Sequence, residues 1–424
     1  MSFAVVNLGC KVNRVESDSF AAALLARGQA CVAESEADLI VVNTCTVTGE
    51  AEKKTRKAVR RALRCNDRAV VAVTGCAVAI DAATYEAMDP RVCVVGKGQL
   101  LEQIEQGQWD HTGAVPCVAK AGEGDVELAP ASVLPLGRGF RTRVGVKVQD
   151  GCDNACTYCI VHVARGRAVS RPADDVAAEC TSLARAGARE IVLTGINLGS
   201  YRDGARRDPS ALRLADLLRR LLDETAGLHE SDAPPVRFRV SSIEPRDVDE
   251  AFIELLASAQ GRVCRHLHLP LQAGSNKVLR EMARPYDARR FEALVDRLRA
   301  SVPGISLSTD VIVGFPGETD AEFQETLAVA RRCRFSKIHV FPYSRREGTP
   351  AAARDDQVTS EVKASRAAAL RALGDELRAA DRARRVGTVE LALVEEGGVA
   401  MTESYHEVDA PAGAQVGSLV EVAL

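Results

Sequence analysis

At 424 residues the chain is longer than one hydrophobic core usually serves, so two or three domains are expected. An apolar fraction of 46% and a charged fraction of 27% are those of an ordinary soluble globular protein, and no run nears the roughly 18 apolar residues of a membrane span. A net charge of −3 excludes a globally basic nucleic-acid binder and leaves only local basic surfaces. The N-terminus, Met1-Ser2-Phe3-Ala4-Val5-Val6-Asn7-Leu8, lacks the basic region of a signal peptide, so a cytoplasmic location is expected. In that reducing compartment, thirteen cysteines point to metal binding or catalysis rather than to disulfides.

Residues 1–110 are expected to form a first domain. Phe3 to Leu8 ends in Gly9-Cys10, Ala37 to Val42 ends in Asn43-Thr44-Cys45, and Ala69 to Val73 ends in Thr74-Gly75-Cys76. Helical patterns follow each run, over 17–27, 50–64 and 80–88, and a fourth run, Val92 to Val95, leads into one over 99–106. This alternation predicts a doubly wound parallel sheet, whose ligands gather at the carboxyl ends of the strands. Three strand ends carry a cysteine, so Cys10, Cys45 and Cys76 should converge, and three thiolates would leave one iron of a four-iron cluster open. Cys31, Cys65 and Cys93 read instead as small buried residues inside or beside elements. The helix after Cys45 is the most basic element, with Thr48 as its N-cap and Glu50 and Glu52 in its first turn. Lys53, Lys54, Arg56, Lys57, Arg60, Arg61 and Arg64 form either a solvated face or a phosphate-contacting stripe.

Residues 111–138 lose periodicity and fill with Gly, Pro and Ala, as an interdomain linker does; Cys117 within it has no motif partner. Over 139–357, six strand-like runs (144–149, 190–194, 236–241, 266–271, 305–313 and 337–343) alternate with helices over 173–186, 211–224, 248–259, 289–300 and 320–332. Six βα units suit an open, partial barrel with its active site at the strand C-termini. After the first strand comes Gly151-Cys152-Asp153-Asn154-Ala155-Cys156-Thr157-Tyr158-Cys159, a C-x3-C-x2-C loop. It suits an iron–sulfur cluster with one open iron. A zinc knuckle with His162 as fourth ligand is the alternative at this point. The other strand ends are polar: Gly195-Ile196-Asn197, Ser241-Ser242-Ile243-Glu244-Pro245, Gln272-Ala273-Gly274-Ser275, Thr309-Asp310 with Gly314 to Glu318, and Tyr343-Ser344. A helical connector is expected over 358–385, followed over 386–424 by a small all-β module.

The C-x3-C-x2-C loop on a partial barrel resembles the radical S-adenosylmethionine enzymes. Leu8-Gly9-Cys10-Lys11-Val12-Asn13, Asn43-Thr44-Cys45-Thr46-Val47-Thr48 and Thr74-Gly75-Cys76 narrow the resemblance to methylthiotransferases. Gln149-Asp150-Gly151-Cys152, Leu193 to Leu198, Ser241 to Pro245 and His339 to Ser344 point to the branch acting on tRNA N6-threonylcarbamoyladenosine at position 37. The relatives acting on isopentenyladenosine typically have Gly-Cys-Gln-Met-Asn where this chain has Gly-Cys-Lys-Val-Asn. The resemblance implies two four-iron clusters: Cys10, Cys45 and Cys76 hold an auxiliary cluster, and Cys152, Cys156 and Cys159 hold the radical cluster whose open iron binds S-adenosylmethionine. One S-adenosylmethionine then methylates sulfur at the auxiliary cluster, and a second is cleaved to the radical that takes hydrogen from carbon 2 of the base. Gly195 and Asn197 match cofactor-contacting positions, with Glu244, Gln272 and Asp310 as further contacts. Where the superfamily's fifth-strand pattern begins with glycine and ends with glutamate, this chain has Asp310 and Gly317. The C-terminal module resembles a shortened TRAM domain, an RNA-binding barrel, but it lacks basic or stacking richness, having chiefly Tyr405 and His406. The implied partners are a tRNA substrate and an electron donor, with no membrane. Methylthiolation of isopentenyladenosine or of a ribosomal protein, and a non-catalytic iron–sulfur RNA-binding or electron-transfer protein, are the competing readings.

Overall fold

The computed structural model describes residues 1–46, 49–107, 142–205, 208–228 and 234–424. In the first domain the apolar runs form parallel strands β1 (Ser2–Asn7), β3 (Leu39–Thr44), β4 (Val70–Gly75) and β5 (Val92–Val94), with a two-residue edge strand β2 (Ala30–Cys31). The order is β2-β1-β3-β4-β5, with Phe3 opposite Leu39 and Leu39 opposite Val70. Every residue of β3 is buried, which is why it reads as a continuous apolar run rather than an alternating one. Helices α1 (Lys11–Ala26), α2 (Gly49–Cys65), α3 (Cys76–Ile80), α4 (Ala82–Glu86) and α5 (Lys97–Gln106) complete the doubly wound unit.

Two boundaries differ from the sequence expectation. Helix α1 begins six residues earlier, with Cys10 at its N-cap position, because the polar first turn is held by Asn13. The Asn13 amide donates to the Thr44 carbonyl (2.7 Å) and to Asn43 Oδ1 (3.0 Å). The helix expected over 80–88 is two short ones, since Asp81 leaves helical geometry and accepts the Thr84 N–H at 3.1 Å. Cys93 is buried as expected, but Cys31 and Cys65 are exposed: Cys31 lies on the sheet edge and Cys65 ends the polar helix α2. Thr48, Cys117 and the linker over 111–138 lie outside the described residues.

The second region carries six parallel strands in chain order: β6 (Arg143–Lys147), β9 (Glu190–Thr194), β12 (Arg237–Val240), β13 (His266–His268), β14 (Ser306–Val313) and β15 (Lys337–Pro342). Two three-stranded sheets, β6-β9-β12 and β13-β14-β15, are joined by the parallel bridges Phe238–Val263 and Ser242–His268, giving an open partial barrel. Strand β13 stops at His268, three residues short of the expected end, and beyond it the Leu271 N–H turns to the Thr309 hydroxyl at 2.9 Å in place of a strand carbonyl. Short ribbons β7 (Gln149–Asp150) with β8 (Val169–Ser170), and β10 (Arg202–Asp203) with β11 (Leu212–Arg213), decorate it. Its helices are α7 (Ala173–Arg185), α8 (Leu214–Glu224), α9 (Glu250–Ser258), α10 (Asn276–Glu281), α11 (Ala288–Ser301) and α12 (Asp320–Cys333), while the short helix α6 (Val161–Arg165), which comes between β7 and β8 in the chain, belongs with the first unit. Val146, Ile191, Leu193, Phe238 and Leu267 are fully buried in the core they share.

Helix α13 (Ser360–Arg385), capped by Thr359, leads into an antiparallel sheet of β16 (Val389–Glu395), β17 (Val399–Thr402), β18 (Glu407–Asp409) and β19 (Leu419–Ala423), ordered β18-β17-β16-β19. The run expected over 400–408 is two strands turning at Tyr405, whose φ is 67°. This module packs against the N-terminal ends of the barrel strands through charge. Glu190, at the start of β9, is paired with Arg237 and Arg239 of β12, both at 2.6 Å and all nearly unexposed. The two guanidiniums also donate to the Leu391, Met401, Thr402 and Glu403 carbonyls at 2.7–3.1 Å. Arg143 pairs with Glu395 and Arg265 with Glu403. Tyr405 stacks on His266 at 4.6 Å, and His406 is buried beside Asp381. Tyr405 and His406, the chief ring side chains of this module, are thus engaged within the fold, Tyr405 on His266 of the barrel and His406 beside Asp381 of α13, because a small sheet must bury its few large side chains to have a core.

The chain divides into two compact units, and the division cuts through the cysteine loop. Gly151–Asp153 and Ile160–Arg167 belong with the N-terminal domain; Asn154–Cys159 belongs with the barrel and the C-terminal module.

Candidate metal centres

In the first unit the three expected cysteines stand at strand C-termini. Cys10 follows β1, Cys45 directly follows β3, and Cys76 directly follows β4. Close approach of β3 and β4 at this end requires glycine: a Cβ on Gly75 would lie 2.5 Å from the Thr44 carbonyl. Asn13 joins the strand ends, since its Oδ1 accepts from Cys10 Sγ at 3.3 Å and from Arg165 Nη2 at 2.9 Å. Arg165 Nε donates to Cys76 Sγ at 3.1 Å, and Lys97 Nζ lies 3.7 Å from the same sulfur. The buried Glu16 carboxylate pairs with both cations at 3.0 Å.

The C-x3-C-x2-C loop starts from Gly151, whose φ of 68° brings its backbone so near that of Arg167 that a Cβ would sit 1.8 Å from that carbonyl. The Cys152 N–H donates to the Gly166 carbonyl at 3.1 Å. In the second unit Cys156 is buried and accepts from Arg284 Nη1 at 3.2 Å. Arg284 also pairs with Glu244, donates to the Tyr286 hydroxyl at 3.1 Å, and is 2% exposed. Thr157 is clamped from three directions: its N–H donates to the Met282 carbonyl, its hydroxyl to the Glu281 carbonyl, and its own carbonyl accepts the Ala351 N–H. Burial pushes the neighbouring Tyr158 hydroxyl well above its usual pKa, so it stays protonated at neutral pH.

The expected cofactor contacts lie at the C-terminal ends of the barrel strands, each in a distinct setting. A Cβ on Gly195 would meet the Gln149 side chain at 2.9 Å, and the Asn197 N–H donates to Gln149 Oε1 at 2.8 Å. Asn197 is buried, yet its Oδ1 has no hydrogen-bond partner among the described residues; a buried orphan of this kind fits a ligand that brings its own donor. Glu244 is paired with Arg284. Gln272 holds a left-handed φ of 64°, and its backbone N–H donates to the Asp310 carbonyl at 2.9 Å. Asp310 Oδ2 is 3.2 Å from His268 Nε2, and with His339 these two bring ligand atoms within 4.8 Å of one another. Burial raises the Asp247 carboxyl to about 6, with Glu244 adding to the shift. His162, the alternative zinc ligand, is an exposed residue of α6.

Thiolate is the usual ligand of iron–sulfur clusters, and one sulfur of each cysteine set, Cys76 and Cys156, receives an N–H from a buried arginine. Neither arginine is signalled by the sequence, because their cysteine partners lie 89 and 128 residues away.

Residues 146–330 match the family described as the radical SAM superfamily, and residues 2–96 match uncharacterized protein family UPF0004. The chain is 39% identical over 376 residues to a threonylcarbamoyladenosine tRNA methylthiotransferase of Bacillus subtilis, covering 87% of this chain and 79% of that protein. A tRNA-2-methylthio-N(6)-dimethylallyladenosine synthase of Corynebacterium diphtheriae is 36% identical over 407 residues, covering 94% of this chain and 76% of that one. Among solved structures, the radical S-adenosylmethionine methyltransferase TsrM of Kitasatospora setae, with cobalamin and a 4Fe–4S cluster bound, aligns with a TM-score of 0.57 at 19% identity. It covers 83% of this chain and 77% of its own, a likeness of fold.

Proposed function

Because this chain belongs to the radical S-adenosylmethionine methylthiotransferase family, we propose that it adds a methylthio group to carbon 2 of N6-threonylcarbamoyladenosine at position 37 of tRNA. Its cofactors are S-adenosylmethionine and two 4Fe–4S clusters. Cys152, Cys156 and Cys159 are the radical-cluster ligands in this reading, and Cys10, Cys45 and Cys76 the auxiliary-cluster ligands. The observation that carries it is the pair of three-cysteine sets, one at the strand ends of the doubly wound sheet and one at the end of the first barrel strand. The branch rests on the Gly9-Cys10-Lys11-Val12-Asn13 and His339 to Ser344 segments together with relatives of that name.

When bound, the cofactors supply a carbon-centred radical and the sulfur to be transferred; the protein positions and shields. Gly195 and Asn197 form a close backbone approach with an unsatisfied amide oxygen suited to the polar methionine end of S-adenosylmethionine. Arg284 holds Cys156 and Glu244 in one hydrogen-bonded group, so the cysteine sulfur and the strand end keep a fixed geometry. The tRNA backbone is taken by α2: Lys53, Arg56, Lys57, Arg60 and Arg64 line one shallow groove. Arg56 and Arg61 are answered by Glu52 and Glu34, whereas Lys53, Lys57, Arg60 and Arg64 have no acidic partner among the described residues. A tRNA substrate sets the work in the cytoplasm with an external electron donor; no helix among the described residues is long and apolar enough to cross a membrane.

Mass spectrometry of tRNA nucleosides from a strain lacking this protein tests the proposal. The expected result is loss of the methylthio group from threonylcarbamoyladenosine. Loss from isopentenyladenosine instead would assign the chain to the second branch, the one named for the Corynebacterium relative. Failure of the reconstituted, reduced protein to cleave S-adenosylmethionine with both clusters loaded would overturn the enzymatic reading.

A further inference from the structure

Arg165 stands outside the cysteine motifs, in a five-residue helix that follows the radical loop, yet its side chain is only 2% exposed. All of its fork is used within the first unit. Nε donates to Cys76 Sγ at 3.1 Å, Nη1 to Glu16 Oε1 at 3.0 Å, and Nη2 to Asn13 Oδ1 at 2.9 Å. Through Asn13 the same guanidinium reaches Cys10, whose sulfur is 3.3 Å from Asn13 Oδ1. Lys97 adds a second cation 3.7 Å from Cys76 Sγ, and Glu16, itself 6% exposed, balances both.

A buried ion group costs desolvation and is weak evidence for stability on its own. A buried guanidinium and a half-buried ammonium near one cysteine sulfur have a specific electrostatic consequence. An N–H and a positive charge at a cluster ligand favour the more electron-rich state of the cluster, and hydrogen bonds to the sulfurs and local charge are the protein's levers on its potential. Glu16 acts in the opposite sense, so the three side chains together set the field at Cys76. The barrel unit repeats the device with different residues, since Cys156 receives Arg284, which is paired with Glu244.

We propose that Arg165 is a positioning residue that sets the reduction potential of the auxiliary cluster through its hydrogen bond to Cys76, with Glu16 and Lys97 as counterweight and support. The inference rests on the reading that Cys10, Cys45 and Cys76 hold that cluster. It also means that the segment leaving the radical loop is tied by one guanidinium to a ligand of the other cluster.

The test uses the full chain with Cys152, Cys156 and Cys159 replaced by serine, so that only the auxiliary site can load iron, and follows its midpoint potential by redox titration with electron paramagnetic resonance. Arg165→Gln is expected to lower the potential by at least ~59 mV, a tenfold change in the one-electron equilibrium. Glu16→Gln is expected to raise it, and Arg165→Lys, which keeps the charge but not the fork, to fall between wild type and Arg165→Gln. A purely structural role predicts iron loss or shifts of one sign in both variants. Unchanged potentials in iron-replete Arg165→Gln and Glu16→Gln would overturn the proposal. If Arg165→Gln fails to load, the opposite signs of Arg165→Lys and Glu16→Gln decide it. Absence of iron in the parent triple variant would instead sink the underlying cluster assignment, a separate outcome.

Discussion

Replacing Glu190 with glutamine should loosen the C-terminal module from the barrel by about 3 kcal/mol. Burial alone would raise the Glu190 carboxyl, but Arg239 and then Arg237 outweigh it and hold the group at about 2 against 4.5 for a free glutamate. That difference corresponds to about 3 kcal/mol favouring the ionised, folded form at neutral pH. It agrees with the roughly 3–5 kcal/mol expected when one partner of a buried ion group is removed and the remaining charges stay buried. In Glu190→Gln, Arg237 and Arg239 would keep their bonds to the module's carbonyls but lose their only carboxylate partner among the described residues. Cys264 reports the event, because it is 1% exposed and its sulfur lies 3.8 Å from Glu190. Thiol labelling of Cys264, read by peptide mass spectrometry at pH 7, should accelerate about a hundredfold in the variant. The sign in acid follows from the depressed carboxyl: the wild type has this stability above about pH 4.5 and loses it as pH falls towards 2, whereas the variant has none to lose. Urea midpoints measured at pH 7 and pH 3 should therefore converge in acid. Equal labelling rates for wild type and variant at pH 7 would refute the reasoning.

Arg284→Gln should retain radical-cluster iron but lower S-adenosylmethionine cleavage by about 10–100-fold, the equivalent of one charged hydrogen bond of roughly 1.5–3 kcal/mol; a single-turnover assay checks it. Asp247→Asn should raise stability at pH 7.5 by up to about 3 kcal/mol. Burial lifts this carboxyl to about 6, so its favourable neutral form is lost as pH rises from about 4 through 6. Denaturation midpoints at pH 4 and 7.5 should show a gain only at the higher pH. Replacing Lys57 and Arg60 with glutamate should weaken tRNA binding across all sequences and reduce the slope of log affinity against log salt by about one per lost phosphate contact. Binding isotherms at several salt concentrations measure this, and an unchanged slope would remove α2 from the interface.

The parallel strands were legible because strands buried on both faces must be written in apolar residues, as β3 and β9 are. The cysteines were legible because strand ends in such sheets face ligands, and Cys45 and Cys76 directly follow β3 and β4. What the sequence hid are groups whose meaning depends on a distant partner. Arg165 reads as one more surface cation until Glu16, 149 residues earlier, encloses it. Nothing in the sequence ties Tyr405 and His406 to distant partners, yet packing against His266 and Asp381 buries the histidine and covers much of the tyrosine. The early start of α1 was hidden in the same way, because Asn13 looks like a helix breaker until Thr44 accepts its amide.

The clamp on Thr157 carries a consequence for the order in which the protein is made. The loop bearing Cys156 and Cys159 leaves the ribosome well before Glu281, Met282 and Ala351, the residues that fix its backbone. At synthesis rates of about 5–20 residues per second, the roughly 190 residues between Thr157 and Ala351 take about 10–40 s to appear. Until about residue 282 the loop lacks all three anchors, and through the rest of that interval it still lacks the last, the Ala351 N–H. Once Ala351 arrives, the same loop is shut from behind. Nascent chains stalled before and after residue 351 should accordingly differ in how readily Cys156 reacts with a thiol probe, with the longer chain protected.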